Sequence, residues 1–302
     1  MAVLLRPFVT SMRIGTRRLP PPGLVLLAAI GAIFFIVIVT TSWRAFNDEH
    51  AYWLAATRLA SSLPLYDPSA APNTPFAYWY PPPLAQVLAP LTGFLSADVF
   101  SIAWTALLLG CLWWLSGRDV LVALALVAFL PVAVELRVRN VHLVLAVLMV
   151  LALRRSWLFW IPAAAIKIAP ALGLLYLATG RRFREAVIVS VAGAIVFAGS
   201  VALSPTAWSD FVTVVSQRAG TDGGSVVPIP YAIRFVAGAG LAGLGGWLGG
   251  RRGEALLVIG ITLANPTLWA TALSLLVALL PLWRSAPTDV RGPAVKPALS
   301  AT

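Results

Sequence analysis

The sequence predicts an all-α, polytopic membrane bundle, and three observations carry that prediction. The 302 residues are 60% hydrophobic and only 11% charged, against about 25% charged in an ordinary soluble domain. The hydrophobic residues come in uninterrupted blocks. Residues 24–41 hold no charge, and about 18 such residues nominate a spanning helix. The 22 Lys and Arg outnumber the 11 Asp and Glu, and they sit in short links between apolar blocks, as cytoplasmic loops do. That placement favours a membrane protein over a nucleic-acid binder, the other usual meaning of a strongly basic chain.

Residues 1–22 carry Arg6, Arg13, Arg17 and Arg18 ahead of Pro20-Pro21-Pro22 and read as a cytoplasmic tail. Residues 23–284 form the membrane domain, and the Pro- and Ala-rich stretch 285–302 reads as a disordered tail. The first span covers about 23–42; a basic start and an apolar run mimic a signal peptide, but no A-x-A cleavage site follows, so it reads as an uncleaved anchor. Residues 43–82 are the longest polar stretch and form the first outer loop. Further apolar segments fall near 83–97, 98–116, 119–135, 141–153, 157–178, 186–203, 226–248, 254–265 and 267–283, which predicts about eight to ten crossings. The segments 119–135 and 141–153 are short against the ~20 residues a crossing needs, and are expected to form a hairpin that stops short.

With the N-terminus inside and all ten segments crossing, fourteen Lys and Arg fall on inner links (before Gly23, 137–139, 181–184, 251–252 and after Leu282). Six fall on outer links: Arg44, Arg58, Arg118, Arg154, Arg155 and Arg218. The excess supports an inner N-terminus at the plasma membrane. The Arg154-Arg155 pair fits this topology poorly.

The lone cysteine, Cys111, lies in an apolar block, which excludes a disulfide framework, and the two histidines are far apart. No metal-ligand spacing, glycine-rich phosphate loop or nucleophile elbow is present. No cofactor is expected.

Within the first outer loop, residues 47–63 have helical periodicity. Tyr52, Ala55, Ala56, Leu59, Ala60 and Leu63 form an apolar stripe, with His50, Thr57, Arg58 and Ser61 opposite. This predicts an amphipathic helix on the membrane surface, with Asn47 as N-cap. Asp48 lies one turn before Tyr52 and therefore projects toward the bundle. A carboxylate facing a partly dry cavity suits a general base. Alternatively, Asp48 and Glu49 only complement the positive end of the helix. Tyr66, Phe76, Tyr78, Trp79 and Tyr80 cluster where the loop meets the next segment. They read as an interfacial aromatic belt, or as a platform for a sugar ring or prenyl chain.

Lys167 lies deep in an apolar segment, just before Pro170. An ammonium there needs a partner, which is either Glu135 or a lipid phosphate. Arg139, Asn140 and His142 form a polar R-N-V-H start to another segment. Arg234 either snorkels to the surface or grips a phosphate with its guanidinium fork.

Several of these stretches resemble the polyprenol-phosphate-mannose-dependent mannosyltransferases, glycosyltransferase family 87 of the GT-C class. The pattern D-x-x-x-Y-x-x-A-x-x-L is matched by Asp48, Tyr52, Ala55 and, offset by one, Leu59. Pro64-Leu65-Tyr66 and Tyr80-Pro81-Pro82 follow in order. R-N-V-H resembles the family's G-Q-x-N, with Arg139 in place of Gly and His142 in place of Asn. A-I-K-I-A-P resembles its Lys-x-x-Pro span, and N-P-T-L-W its S-P-x-x-W segment, here followed by Ala270 and Thr271 where some members carry histidines. The likeness runs over about residues 23–283 and implies a GT-C bundle with its active site on the outer face. It implies an inverting transfer of a sugar, mannose first and arabinofuranose second, from a polyprenyl-phosphate carrier to a hydroxyl of a glycolipid or polysaccharide. Asp48 would be the base. Lys167, then Arg234 and Arg139, would meet the donor phosphate. Glu49, His50, Tyr52, Tyr66, Tyr80, Asn140 and His142 complete the expected site. A lipid-carrier flippase or a non-catalytic scaffold are the alternatives; the sequence shows no inverted repeat of the kind a transporter would have.

Overall fold

The computed structural model of the chain describes residues 13–14, 17–18, 20–41, 48–66, 77–218 and 225–284. Apart from a two-residue ladder pairing Arg13–Ile14 with Arg17–Arg18, the described residues are helical or loop. In chain order the helices are α1 (Pro22–Thr41), α2 (Asp48–Ala60), α3 (Pro82–Leu88), α4 (Ala97–Leu115), α5 (Val120–Val127), α6 (Leu130–Val138) and α7 (His142–Arg154). There follow α8 (Trp160–Ile166), α9 (Leu172–Thr179), α10 (Phe183–Leu203), α11 (Pro205–Arg218), α12 (Tyr231–Leu248), α13 (Gly250–Leu263) and α14 (Leu279–Arg284). A 3-10 helix, Ala270–Ala278, leads directly into α14.

Among the described residues three helices, α1, α4 and α10, are long and apolar enough to cross a membrane unaided, and α5 with α6 makes a fourth crossing if the pair counts as one span bent by 87°. The bend has a local cause. Phe129 is extended and Pro131 occupies the first turn of α6, where its missing N–H is harmless, so α5 cannot continue into α6. Asp119 caps the start of α5 by accepting from the backbone N–H groups of Leu121 and Val122.

The links gather at two ends. At one end Arg284 donates to the Ser116 carbonyl (2.8 Å), and Arg154 donates to the Leu282 carbonyl (3.0 Å). Arg154 also pairs with buried Glu254 (2.5 Å), and the Arg182 guanidinium lies 5.1 Å from the Trp157 ring centre. The links 116–119, 154–157, 180–185, 249–254 and 282–284 are therefore neighbours. Together they hold nine arginines against Asp119, Glu185 and Glu254. At the other end lie α2, the 77–81 segment, the 139–142 corner and α11, joined by Asp48–Asn140, Glu49–Arg139 and Tyr66–Phe211. Gln86 and Ser200 bond to each other at the same end.

Two of the ten apolar segments do not connect the two ends. Segment 83–97 does not cross: α3 and the 3-10 turn Ala89–Gly93 stay beside α2. Twelve residues there, seven of them α-helical, rise only ~20 Å against the ~30 Å of a hydrocarbon core. Segment 157–178 also fails to cross. It rises from Trp157 to Lys167 and returns to Tyr176 as a re-entrant hairpin. Pro170 would clash with the Ile166 carbonyl in a continuous helix, so α8 stops there and Lys167 is extended. The two arms pack at Gly173, where a Cβ would lie 2.4 Å from Trp160.

Segments 119–135 and 141–153 connect the two ends, α5–α6 from Asp119 to Arg139 and α7 back from His142 to Arg154; at ~20 Å, α7 is shorter than a ~30 Å hydrocarbon core. Among the described residues eight segments connect the two ends: α1, α4, α5–α6, α7, α10, α12, α13 and the 3-10 helix with α14. Arg118, Arg154 and Arg155 thus move to the arginine-rich end, and Arg137 and Arg139 to the other. The clash at Arg154-Arg155 disappears. The passes α12 and α13 touch backbone to backbone: a Cβ on Gly238 would lie 2.5 Å from the Gly260 carbonyl oxygen, and one on Gly245 2.5 Å from that of Gly253.

Candidate active site

The helix α2 is amphipathic and packs where the outer loop was expected. Its buried face is Ala51, Tyr52, Trp53, Ala55 and Ala56; Thr57, Arg58 and Ser61 are exposed and His50 partly so. The face is turned slightly from the expected stripe, since Ala60 and Leu63 are exposed. Trp53 takes their place, 5.2 Å from the Phe100 ring. Asn47 and Phe76 lie outside the described residues.

The two acids opening α2 turn inward to consecutive partners. Glu49 is buried and accepts from Arg139 (2.6 Å) and from Ser101 (2.9 Å). Asp48 Oδ2 accepts from the Asn140 side-chain amide. Both partners sit at the α6–α7 corner, made by Arg139 in a left-handed conformation (φ 55°). The Asn140 amide is oriented by its neighbours: its Oδ1 accepts from the Tyr80 hydroxyl (3.0 Å) and from the Val141 N–H (2.7 Å). Its Nδ2 is therefore the end that faces Asp48. Tyr52 donates to the Tyr80 hydroxyl (3.0 Å), which completes a chain Tyr52–Tyr80–Asn140–Asp48. Burial keeps the Tyr52 and Tyr80 phenols protonated.

Burial raises the Asp48 carboxyl to about 6, opposed by the positive charge of Lys167 and the Asn140 hydrogen bond, with Glu49 adding to the rise. A carboxylate near 6 is ionised at neutral pH yet basic enough to take a proton in a transition state.

Lys167 reaches this site from the tip of the re-entrant hairpin. Its ammonium lies 2.8 Å from His142 Nε2 and 5.1 Å from the Tyr80 ring centre. His142 Nδ1 lies 3.0 Å from Glu135 Oε2, while Glu135 Oε1 accepts the backbone N–H groups of His142 (2.6 Å) and Leu143 (3.3 Å). The hydrogen bonds thus connect Glu135 to Lys167 through an imidazole.

The remaining expected residues have other tasks. Arg139 was expected near the donor phosphate; it lies at the site, but its charge faces buried Glu49. Arg234 was expected there too. Its guanidinium instead bonds the carbonyls of Ile229, Leu263, Asn265 and Pro266, and so holds the N-P-T-L-W segment at the end of α13. Three members of the aromatic cluster brace the loop. Tyr66, Tyr78 and Tyr80 are buried. Tyr66 donates to the Tyr80 carbonyl (2.6 Å) and Tyr78 to that of Pro81 (2.9 Å). Sequence reasoning missed Ser101 and Trp104 on α4. The Trp104 Nε1–H donates to the Arg139 carbonyl (2.9 Å) and supports the corner from below.

Among the described residues no group of three or more His, Cys, Asp or Glu side chains gathers as a metal site. The family comparison decides what the arrangement belongs to: the model of glycosyltransferase family 87 matches residues 78–298. The chain belongs to glycosyltransferase family 87. It is a membrane glycosyltransferase. No curated protein and no solved structure matches it. Within this glycosyltransferase, Tyr80, Asn140, His142 and Lys167 fall inside the matched range, while Asp48, Glu49 and Tyr52 precede it.

Proposed function

We propose that this glycosyltransferase moves a sugar, mannose in the first instance and arabinofuranose in the second, from a polyprenyl-phosphate carrier to a hydroxyl of a glycolipid or polysaccharide. The observation that carries the reading is the meeting of Asp48 and Lys167 at one end of the bundle. A base and a cation approach each other from opposite elements, the loop helix and the hairpin tip, within electrostatic reach.

In the proposed reaction an acceptor hydroxyl approaches Asp48. Among the described residues nothing bonds Asp48 Oδ1, which leaves that oxygen for the hydroxyl. Asp48 takes the proton as the hydroxyl oxygen attacks the anomeric carbon from the face opposite the phosphate, and configuration inverts. The bond to the phosphate breaks, and Lys167 stabilises the charge that develops on the leaving oxygens. The polyprenyl-phosphate sugar is itself the donor, and the reading assigns no cofactor.

The orientation in the membrane follows from the uneven charge of the two ends. The end with nine arginines on its links would face the cytoplasm, which puts both tails inside and Asp48 on the outer face. A donor carried by a lipid is reachable there, because α7 has 13 residues and spans only ~20 Å, so the site is sunk below the outer edge of a ~30 Å core.

The test is transfer by the purified full chain in liposomes, with radiolabelled polyprenyl-phosphate mannose and arabinofuranose and an acceptor lipid extract. Transfer from one of them supports the reading. A folded protein that transfers from neither, yet moves the carrier across the bilayer, would instead be a flippase.

A further inference from the structure

Lys167 hangs from the point where the hairpin breaks, on a flexible four-carbon stem. A direct carboxylate partner would hold it but also cancel its charge. Between Lys167 and Glu135 the structure places an imidazole instead, and the other carboxylate within electrostatic reach of the ammonium is the proposed base, Asp48. Glu135 is fixed by the first two N–H groups of α7, so its carboxylate cannot swing toward the lysine. It accepts from His142 Nδ1, which leaves Nε2 as the acceptor for the ammonium. All three side chains belong to different elements: α6, α7 and the hairpin tip. The imidazole puts the carboxylate about twice as far from the ammonium as a direct pair would, which roughly halves their attraction.

We infer that Glu135 and His142 are positioning residues for Lys167: they aim its ammonium at the donor phosphate while leaving its charge available. This rests on the donor site proposed above. His142 itself would touch no substrate.

The chain has two lysines, Lys167 and Lys296, so protein labelled with 13C at lysine Cε gives two signals, assigned with Lys296→Arg. The full chain in detergent micelles is titrated with farnesyl phosphate. In the wild type the Lys167 signal should shift and the Lys296 signal should not. His142→Leu should weaken the binding read from that shift about tenfold, the loss expected for one hydrogen bond to a charged group. His142→Gln, whose side-chain oxygen can take the place of Nε2, should bind within about threefold of wild type. Equal binding by wild type and His142→Leu overturns the inference, as does equal loss in both variants. Should the leucine variant not fold, Glu135→Gln serves instead: about fivefold weaker binding is expected, and unchanged binding overturns the inference. A Lys167 signal unmoved by farnesyl phosphate in the wild type refutes the donor site itself, and with it this inference.

Discussion

Asn140 donates its side-chain amide to Asp48 from 92 residues away in the chain, and that bond docks the loop helix α2 onto the bundle. The neighbouring pair, Glu49 with Arg139, repeats the contact one residue along on each side. Two consecutive acids on α2 thus read two consecutive residues of the α6–α7 corner.

Replacing Asn140 with aspartate puts a second carboxyl against Asp48. Like charges so close cannot both ionise readily, so the pair should hold a proton to higher pH. The acid limb of the pH–rate profile for transfer should move up by about one unit or more, with acceptor KM little changed.

Asp48 also links stability to pH. Its carboxyl is raised from 3.8 to about 6 on folding. The protonated form is therefore favoured by the fold, and the contribution is present below pH 3.8 and lost as pH rises through 6. Asp48→Asn should unfold at a temperature equal to or above wild type at pH 8, by at most about 3 kcal/mol in stability, less where water reaches the group. The difference should vanish below pH 4. Thermal unfolding in detergent, followed across pH 4–8, checks the sign.

The Glu49–Arg139 pair is buried, so removing one member strands the other. Arg139→Met should destabilise by about 3 kcal/mol or more, whereas Glu49→Gln with Arg139→Met should recover much of the loss. A double-mutant cycle on unfolding midpoints measures this. Additive losses would mean that the two side chains do not depend on each other.

The re-entrant hairpin makes a topological prediction. In a background with Cys111→Ala, single cysteines at Gly117, Arg155, Arg181 and Arg252 should all label from one side of sealed vesicles, and a cysteine at Ser62 from the other. A continuous crossing by 157–178 would put Arg155 and Arg181 on opposite sides.

Much of this was legible in the residues. The apolar face of Tyr52, Ala55 and Ala56 forces Asp48 to point inward, and the structure shows that direction. The Arg154-Arg155 pair already marked the stretch between 98 and 178 as the place where the ten-segment count fitted least well. The fold-back itself was hidden, because 157–178 has the length and apolarity of an ordinary span. Only Pro170 marked the break, and what closes the hairpin is the fit of Trp160 over Gly173, a long-range packing event without a local pattern. The carbonyl partners of Arg234 were hidden for a similar reason. A guanidinium fork suits phosphate oxygens and helix-end carbonyls alike, and the choice depends on where α13 ends. Ser101 and Trp104 gave no signal, being ordinary residues of an apolar helix until the corner lands on them.

The most direct test compares Asp48→Asn with wild type for single-turnover transfer from the polyprenyl-phosphate sugar that the wild type uses, at pH 8 and in matched, folded samples. The expected result is a loss of about a thousandfold or more in rate, with farnesyl phosphate binding kept. Transfer by Asp48→Asn within about tenfold of wild type would show that another group takes the acceptor proton.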